Sequence, residues 1–230
     1  MKRRLRWLGT SAVALGVVAV LWVVVTLAWQ EPVSGITAAR EQKRLRRELG
    51  PTPPRAVSPT AVGGERARRR LAALARRAHG QIRIGDAFGR IEIPALDREY
   101  AVIEGADRKR LRIGPGHYED TPFPGEPGTV GVAGHRTTYG APFRRIDRLE
   151  PGDGIVVTVS YARFVYRVER TRAVFPRDVE VKRPVGYDQL IVSASHPPDS
   201  ARQRLVVFAR LVRAEAPGIL YEPAAPRRSR

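Results

Sequence analysis

The chain has 230 residues, 43% of them hydrophobic and 28% charged, which allows one folded domain of roughly 130 to 150 residues plus appendages. Its formal net charge of +18 comes almost entirely from arginine, so anionic lipid, acidic polymers and nucleic acid are the partners to weigh. Cysteine is absent, which excludes disulfides, thiolate nucleophiles and cysteine-held metals.

Residues 1–6, MKRRLR, form a basic tail ahead of an apolar run from Trp7 to Trp29 that has no charged side chain. As a helix, residues 7–29 would reach about 34 Å, enough to cross the hydrocarbon core of a bilayer, with a tryptophan at each interface. The apolar core of a cleaved signal peptide is shorter, at roughly 7–15 residues, so the stretch reads as an uncleaved signal anchor. Arg40, Lys43, Arg44, Arg46 and Arg47 on the far side count against a cytoplasmic N-terminus. The charges that abut the apolar run directly are weighted more heavily. This predicts a single-pass cell-membrane protein with its C-terminal domain extracellular.

Residues 30–79 read as a basic stalk. From Arg40 to Arg77 there are twelve Arg or Lys against three Glu, a net of +9. Helix-favouring AREQKRLRREL gives way to PTPPRAVSPTAVGG, whose prolines and glycine pair make an extended linker. Helix-favouring ERARRRLAALARRA follows, with only Leu71 and Leu74 as a thin apolar face. A solvated spacer is the simplest reading; adhesion to anionic headgroups or acidic wall polymer is the functional one. Nucleic acid is not expected as a partner, because no recognition helix, zinc spacing or aromatic-interleaved basic sheet is visible.

From residue 80 to 213 the pattern changes to short β runs bounded by Gly, Pro and Asp. They are Ile91–Ile93, Tyr100–Glu104, Thr129–Ala133, Ile155–Ser160, Phe164–Glu169, Leu190–Ala194 and Leu205–Leu211. Turn signals recur about every 8–12 residues, the spacing of a sandwich or barrel. Helical signal is confined to Asp107–Arg112 and Pro142–Leu149. The fold class is therefore all-β: a closed barrel with one or two short helices, preceded by one transmembrane helix. Residues 214–230 make a basic C-terminal tail.

Two loops invite chemistry. The connection between the last two β runs holds Ser195, His196, Asp199, Ser200 and Arg204, an arrangement equally open to an ordinary basic hairpin. In GVAGHRTTYGAPF a strand ends at Gly134 and presents His135, a candidate acid or base. His117, in the Gly/Pro-rich loop 114–128, reads as a surface turn residue.

Taken together, AGHRTTYGAPF (133–143), LIVSASHP (190–197) and QRLVVFARL (203–211) resemble a sortase, closest to the class E group of Gram-positive actinobacteria. GRIEIPAL (89–96), GPGHY (114–118) and PGEPGTVGVAGH (124–135) match the same family, and the resemblance runs from about Gly80 to Val212. It implies a membrane-anchored β-barrel of about eight strands. It also implies a transpeptidase that cuts a sorting signal (LPxTG- or LAxTG-like) and joins it to a peptidoglycan or pilin amine. No acidic cluster with calcium-loop spacing is apparent in the sequence, so no metal or cofactor is expected. By resemblance His135 takes the place of the family histidine, Arg204 that of the arginine, and Ser195 that of the cysteine. Thr137, Ser193, Ala194 and His196 take substrate-binding places.

Serine at the nucleophile position is a departure with chemical weight. A thiol ionises with a free pKa near 8.5, whereas a hydroxyl is barely ionised at neutral pH and needs a base in the transition state. His135 is the base available, and the motif names no carboxylate to orient it. Asp199 is a second departure, a carboxylate positioned to pair with Arg204. Two readings stay open: a transpeptidase working through serine, or an inactive sortase-like protein that binds sorting peptides or acidic wall polymers.

Overall fold

The structure, a computed structural model, describes residues 15–22, 34–50 and 64–223. Among these residues no helix is long and apolar enough to cross a membrane. Of the expected span 7–29, residues 15–22 are helical. The rest of that span, the basic tail 1–6, the linker 51–63 and residues 224–230 lie outside the described residues.

Nine strands form one sheet: β1 (Ala87–Ile93), β2 (Arg98–Glu104), β3 (Gly116–His117), β4 (Thr129–Ala133), β5 (Gly154–Val159), β6 (Ala162–Val174), β7 (Gln189–His196), β8 (Gln203–Ala216) and β9 (Ile219–Tyr221). They neighbour one another in the order β6-β5-β1-β2-β3-β4-β7-β8-β9. Long antiparallel pairing of β6 with β8, from Arg163↔Glu215 to Val174↔Arg204, closes the first eight into a barrel. That closure removes the open sheet edges that invite unwanted pairing.

Period-two alternation fills the interior. Ile91, Ile93, Val130, Val132, Ile155, Val157, Val159, Leu190, Val192, Val207 and Ala209 all point into one core cluster. The opposite face of β7 and β8 is also apolar near its middle. There Ile191, Val206 and Phe208 pack with Val174 under a short 3-10 turn, Val179–Lys182.

Helices cover two further faces. Helix α1 (34–48) buries Ala38, Gln42 and Leu45, and the Gln42 amide both donates to and accepts from the backbone of Ala101 in β2. Helix α2 (Gly64–His79) buries Ala67, Leu71, Ala72 and Ala75. Both lie within the stretch expected to be a solvated spacer, and packing corrects that expectation for the two helical pieces. The α2 face is built mainly from alanine and the α1 face from one alanine, one glutamine and one leucine, patterns that a search for large apolar side chains passes over. Leu74, counted in the expected apolar face, is 37% exposed.

A third helix, α3 (Arg108–Leu111), starts at the Asp107 carboxylate, which accepts from the backbone N–H groups of Lys109 and Arg110. His117 is not a surface residue. The two-residue strand β3 inserts between β2 and β4 and carries its imidazole to full burial. There Nδ1 lies 2.8 Å from Glu104 Oε2, and Nε2 lies 3.0 Å from Thr121 Oγ1 and 3.1 Å from the Pro122 carbonyl.

Candidate active site

Strand direction brings the candidate residues to one rim. β4 and β7 are parallel, with Ala133 opposite Ser193, so the backbone that follows each strand emerges at the same end. β8 runs antiparallel to β7 and begins at that end, with Ser195 directly opposite Arg204. Ile191, Val206 and Phe208 face outward, so alternation carries Ser195 and Arg204 onto the same outer face, where cross-strand neighbours touch. Both side chains are half-buried.

His135 follows β4 after Gly134. A Cβ on Gly134 would lie 2.5 Å from a Phe143 ring carbon, so only glycine admits that fully buried ring beneath the histidine. Nδ1 of His135 lies 3.2 Å from Thr138 Oγ1. Its Nε2 is buried and has no hydrogen-bond partner among the described residues. Burial, then the positive charges of Arg112 and Arg204, hold the imidazole below its usual pKa and keep it neutral.

The turn after His135 is strained. Tyr139, Gly140 and Ala141 have φ of 53°, 76° and 44°, a left-handed run in which two residues carry a Cβ. The Tyr139 ring sits 4.8 Å from the imidazole, and Arg112 lies over that ring at 5.7 Å. Helix α1 abuts the turn, since a Cβ on Gly140 would lie 3.8 Å from the Ala38 methyl.

The remaining sequence candidates divide by burial. Thr137 is half-buried, and its carbonyl accepts from Arg144 at 3.4 Å. Ser193 is 2% exposed, with its hydroxyl 2.8 Å from the Tyr118 hydroxyl; Ala194 faces the core. Neither of those two side chains is open to a ligand in this arrangement. Asp199 is exposed at the tip of the β7–β8 loop with φ of 63°, and it forms no ion pair with Arg204 among the described residues. The expected pairing is therefore corrected: the carboxylate stands exposed at a loop tip with left-handed backbone, beyond ion-pair distance of Arg204.

Arg136 is the site residue that sequence reasoning misses. Its side chain is buried, pairs with Asp147 at 3.0 Å and donates to His196 Nδ1 at 3.0 Å. It thereby ties the His135 segment to the end of β7. The only signal in the sequence is its place between His135 and a turn, because both partners come from distant stretches. Among the described residues no His, Asp and Glu cluster is spaced to hold a metal ion.

This rim therefore offers a hydroxyl, a neutral imidazole with one free nitrogen, and a cation facing the hydroxyl. Such a set suits attack on a carbonyl with stabilisation of the resulting oxyanion.

Comparison with known proteins identifies the family. The sortase domain family matches residues 91–212. Sortase D of Bacillus subtilis is 33% identical over 132 residues, 56% of this chain and 65% of that protein. Sortase SrtE1 of Streptomyces coelicolor is 34% identical over 153 residues, 60% of this chain and 44% of that protein. The chain thus spans less than two thirds of each of these relatives. Among solved structures, sortase E1 from Streptomyces coelicolor with a tripeptide in the active site superposes with a TM-score of 0.54 at 32% identity, covering 56% of this chain and 90% of that one. Sortase E from Streptomyces avermitilis gives 0.53 at 34% identity, covering 58% and 93%.

Proposed function

The chain belongs to the sortase family, and on that premise we propose that it is a membrane-anchored acyl-transfer protein acting on sorting-signal peptides through Ser195. Residues 7–29 anchor it as a single-pass protein, and the barrel lies outside the cell. Its donor is an LPxTG- or LAxTG-like segment and its acceptor a peptidoglycan or pilin amine.

In this reading His135 Nδ1–H donates to Thr138 Oγ1, which leaves the lone pair on Nε2. Nε2 takes the Ser195 proton as Oγ bonds to the peptide carbonyl carbon, and the oxyanion forms beside Arg204. The proton then passes to the leaving amine as the C–N bond breaks. The acceptor amine attacks the resulting ester, its proton returns through Nε2, and the serine is released. Turnover is slow, because a hydroxyl stands in the place of the thiol and the imidazole has a threonine hydroxyl, not a carboxylate, behind it.

The observation that carries the proposal is the free Nε2 of a neutral His135 at the rim shared by Ser195 and Arg204. A second reading, peptide binding without turnover, draws on a different one. Among the described residues Ser195 Oγ makes no hydrogen bond with His135.

Incubating the full chain with an LPxTG-like or LAxTG-like peptide and an amine separates the two. Slow transfer that rises by orders of magnitude in Ser195→Cys supports a hydroxyl-limited transferase. Peptide binding without transfer in the natural chain supports the second reading. If Ser195→Cys neither binds nor transfers, both fail.

A further inference from the structure

We propose that the outward face of α2, with the groove beside it, is a docking site for the headgroups of an anionic phospholipid bilayer. The proposal is independent of whether Ser195 turns over.

The arginines of α2 fall into two sets. Arg68 pairs with Asp188 at 3.1 Å and Arg69 with Glu65 at 4.0 Å. Arg66, Arg70, Arg76 and Arg77 are exposed, and none of them has an ion-pair partner among the described residues. Sequence position alone does not separate these sets; burial of Ala67, Leu71, Ala72 and Ala75 does, by fixing which side of the helix faces the barrel. The free guanidiniums therefore stand on a rigid element, and docking would order little that is not already ordered.

Beside this face lies a groove of about 480 Å³ between α2 and the start of β9. Arg70 and Arg77 are seven residues apart, about 10 Å along the helix, and both line the groove. Ala73, Leu74, Pro217 and Ile219 give it an apolar lining. Two cations at the rim of an apolar trough match an amphiphile: phosphates meet the guanidiniums, and glycerol and upper acyl carbons meet the exposed Leu74 and Pro217. A uniformly hydrophilic polyanion would use the arginines and leave the trough unused, which favours lipid over acidic polymer.

Because the chain has no cysteine, Ala73→Cys gives a unique attachment point for an environment-sensitive fluorophore. The labelled full chain is mixed with and reconstituted into nanodiscs of phosphatidylglycerol or of phosphatidylcholine. A blue shift, with quenching by brominated acyl chains, is expected in phosphatidylglycerol alone. Each arginine near an anionic surface contributes about fivefold to the docked fraction. Arg70→Glu with Arg77→Glu should therefore abolish the shift, the milder Arg70→Ala with Arg77→Ala should reduce it at least tenfold, and Leu74→Gln should weaken it. Circular dichroism checks that each variant is folded. The same emission in both lipids overturns the proposal. So does a shift in phosphatidylcholine discs that soluble polyphosphate induces and Leu74→Gln leaves unchanged, which would assign the face to an acidic polymer.

Discussion

Ser195, His135 and Arg204 meet through backbone direction more than through contacts of their own. Two parallel strands end at one rim, and a third begins there. The three were legible in the sequence because each sits in a short motif at a strand end. Thr138, Arg136 and the true setting of His117 were not, because each is defined by burial and by a partner. For Arg136 and His117 that partner arrives from another element of the fold. The state of His135 leads to a pH prediction. Its pKa lies below the ordinary histidine value, so the base is neutral and competent above that depressed value, and activity falls as pH drops through it. Arg112 is the larger of the two cationic contributors. Removing it relieves repulsion of the imidazolium and raises the pKa, so Arg112→Ala should move the acid limb of the pH–rate profile to higher pH. An unmoved limb, or one displaced downward, would mean that His135 is not the group being titrated.

Among the elements, long strands were readable and short ones were not. β4 matches its sequence expectation residue for residue, and the apolar runs located β5 and β7 to within two residues. β6 and β8 extend well past the apolar runs that announced them, to 13 and 14 residues, because pairing with each other sustains them where side-chain pattern does not. β3 and β9, of two and three residues, have no period to read. The two-residue β3 nevertheless holds loop 118–128 in place through His117. His117→Ala would strand the Glu104 carboxylate, whose side chain is 7% exposed. The cost should be about 1–3 kcal/mol, read from the urea midpoint at constant m-value. A loss under about 0.5 kcal/mol would mean that the Glu104 carboxyl finds another partner or water.

At the scale of the whole molecule, a closed barrel is wrapped by helices that the sequence presented as a spacer. Those helices make contact through few large apolar side chains, three alanines and Leu71 in α2 and Ala38, Gln42 and Leu45 in α1, and carry arginine outside, so composition announced the charge and hid the packing. In the proposed arrangement residues 7–29 hold this body at a membrane. The full chain should then sediment with membranes and withstand extraction by high salt and by carbonate, and deleting residues 1–29 should make it extractable by high salt. Extraction of the full chain by salt alone would contradict an integral anchor and leave surface charge as the means of attachment.

The central claim is that Ser195 stands in the nucleophile's place of a working peptide site. Intact-mass spectrometry of the chain after incubation with an LPxTG-like or LAxTG-like peptide, without amine, tests it most directly. The account predicts an acyl adduct on Ser195 at low occupancy, at high occupancy in Ser195→Cys, and lost in His135→Ala. An adduct absent from Ser195→Cys, or one that persists when His135 is removed, would contradict it.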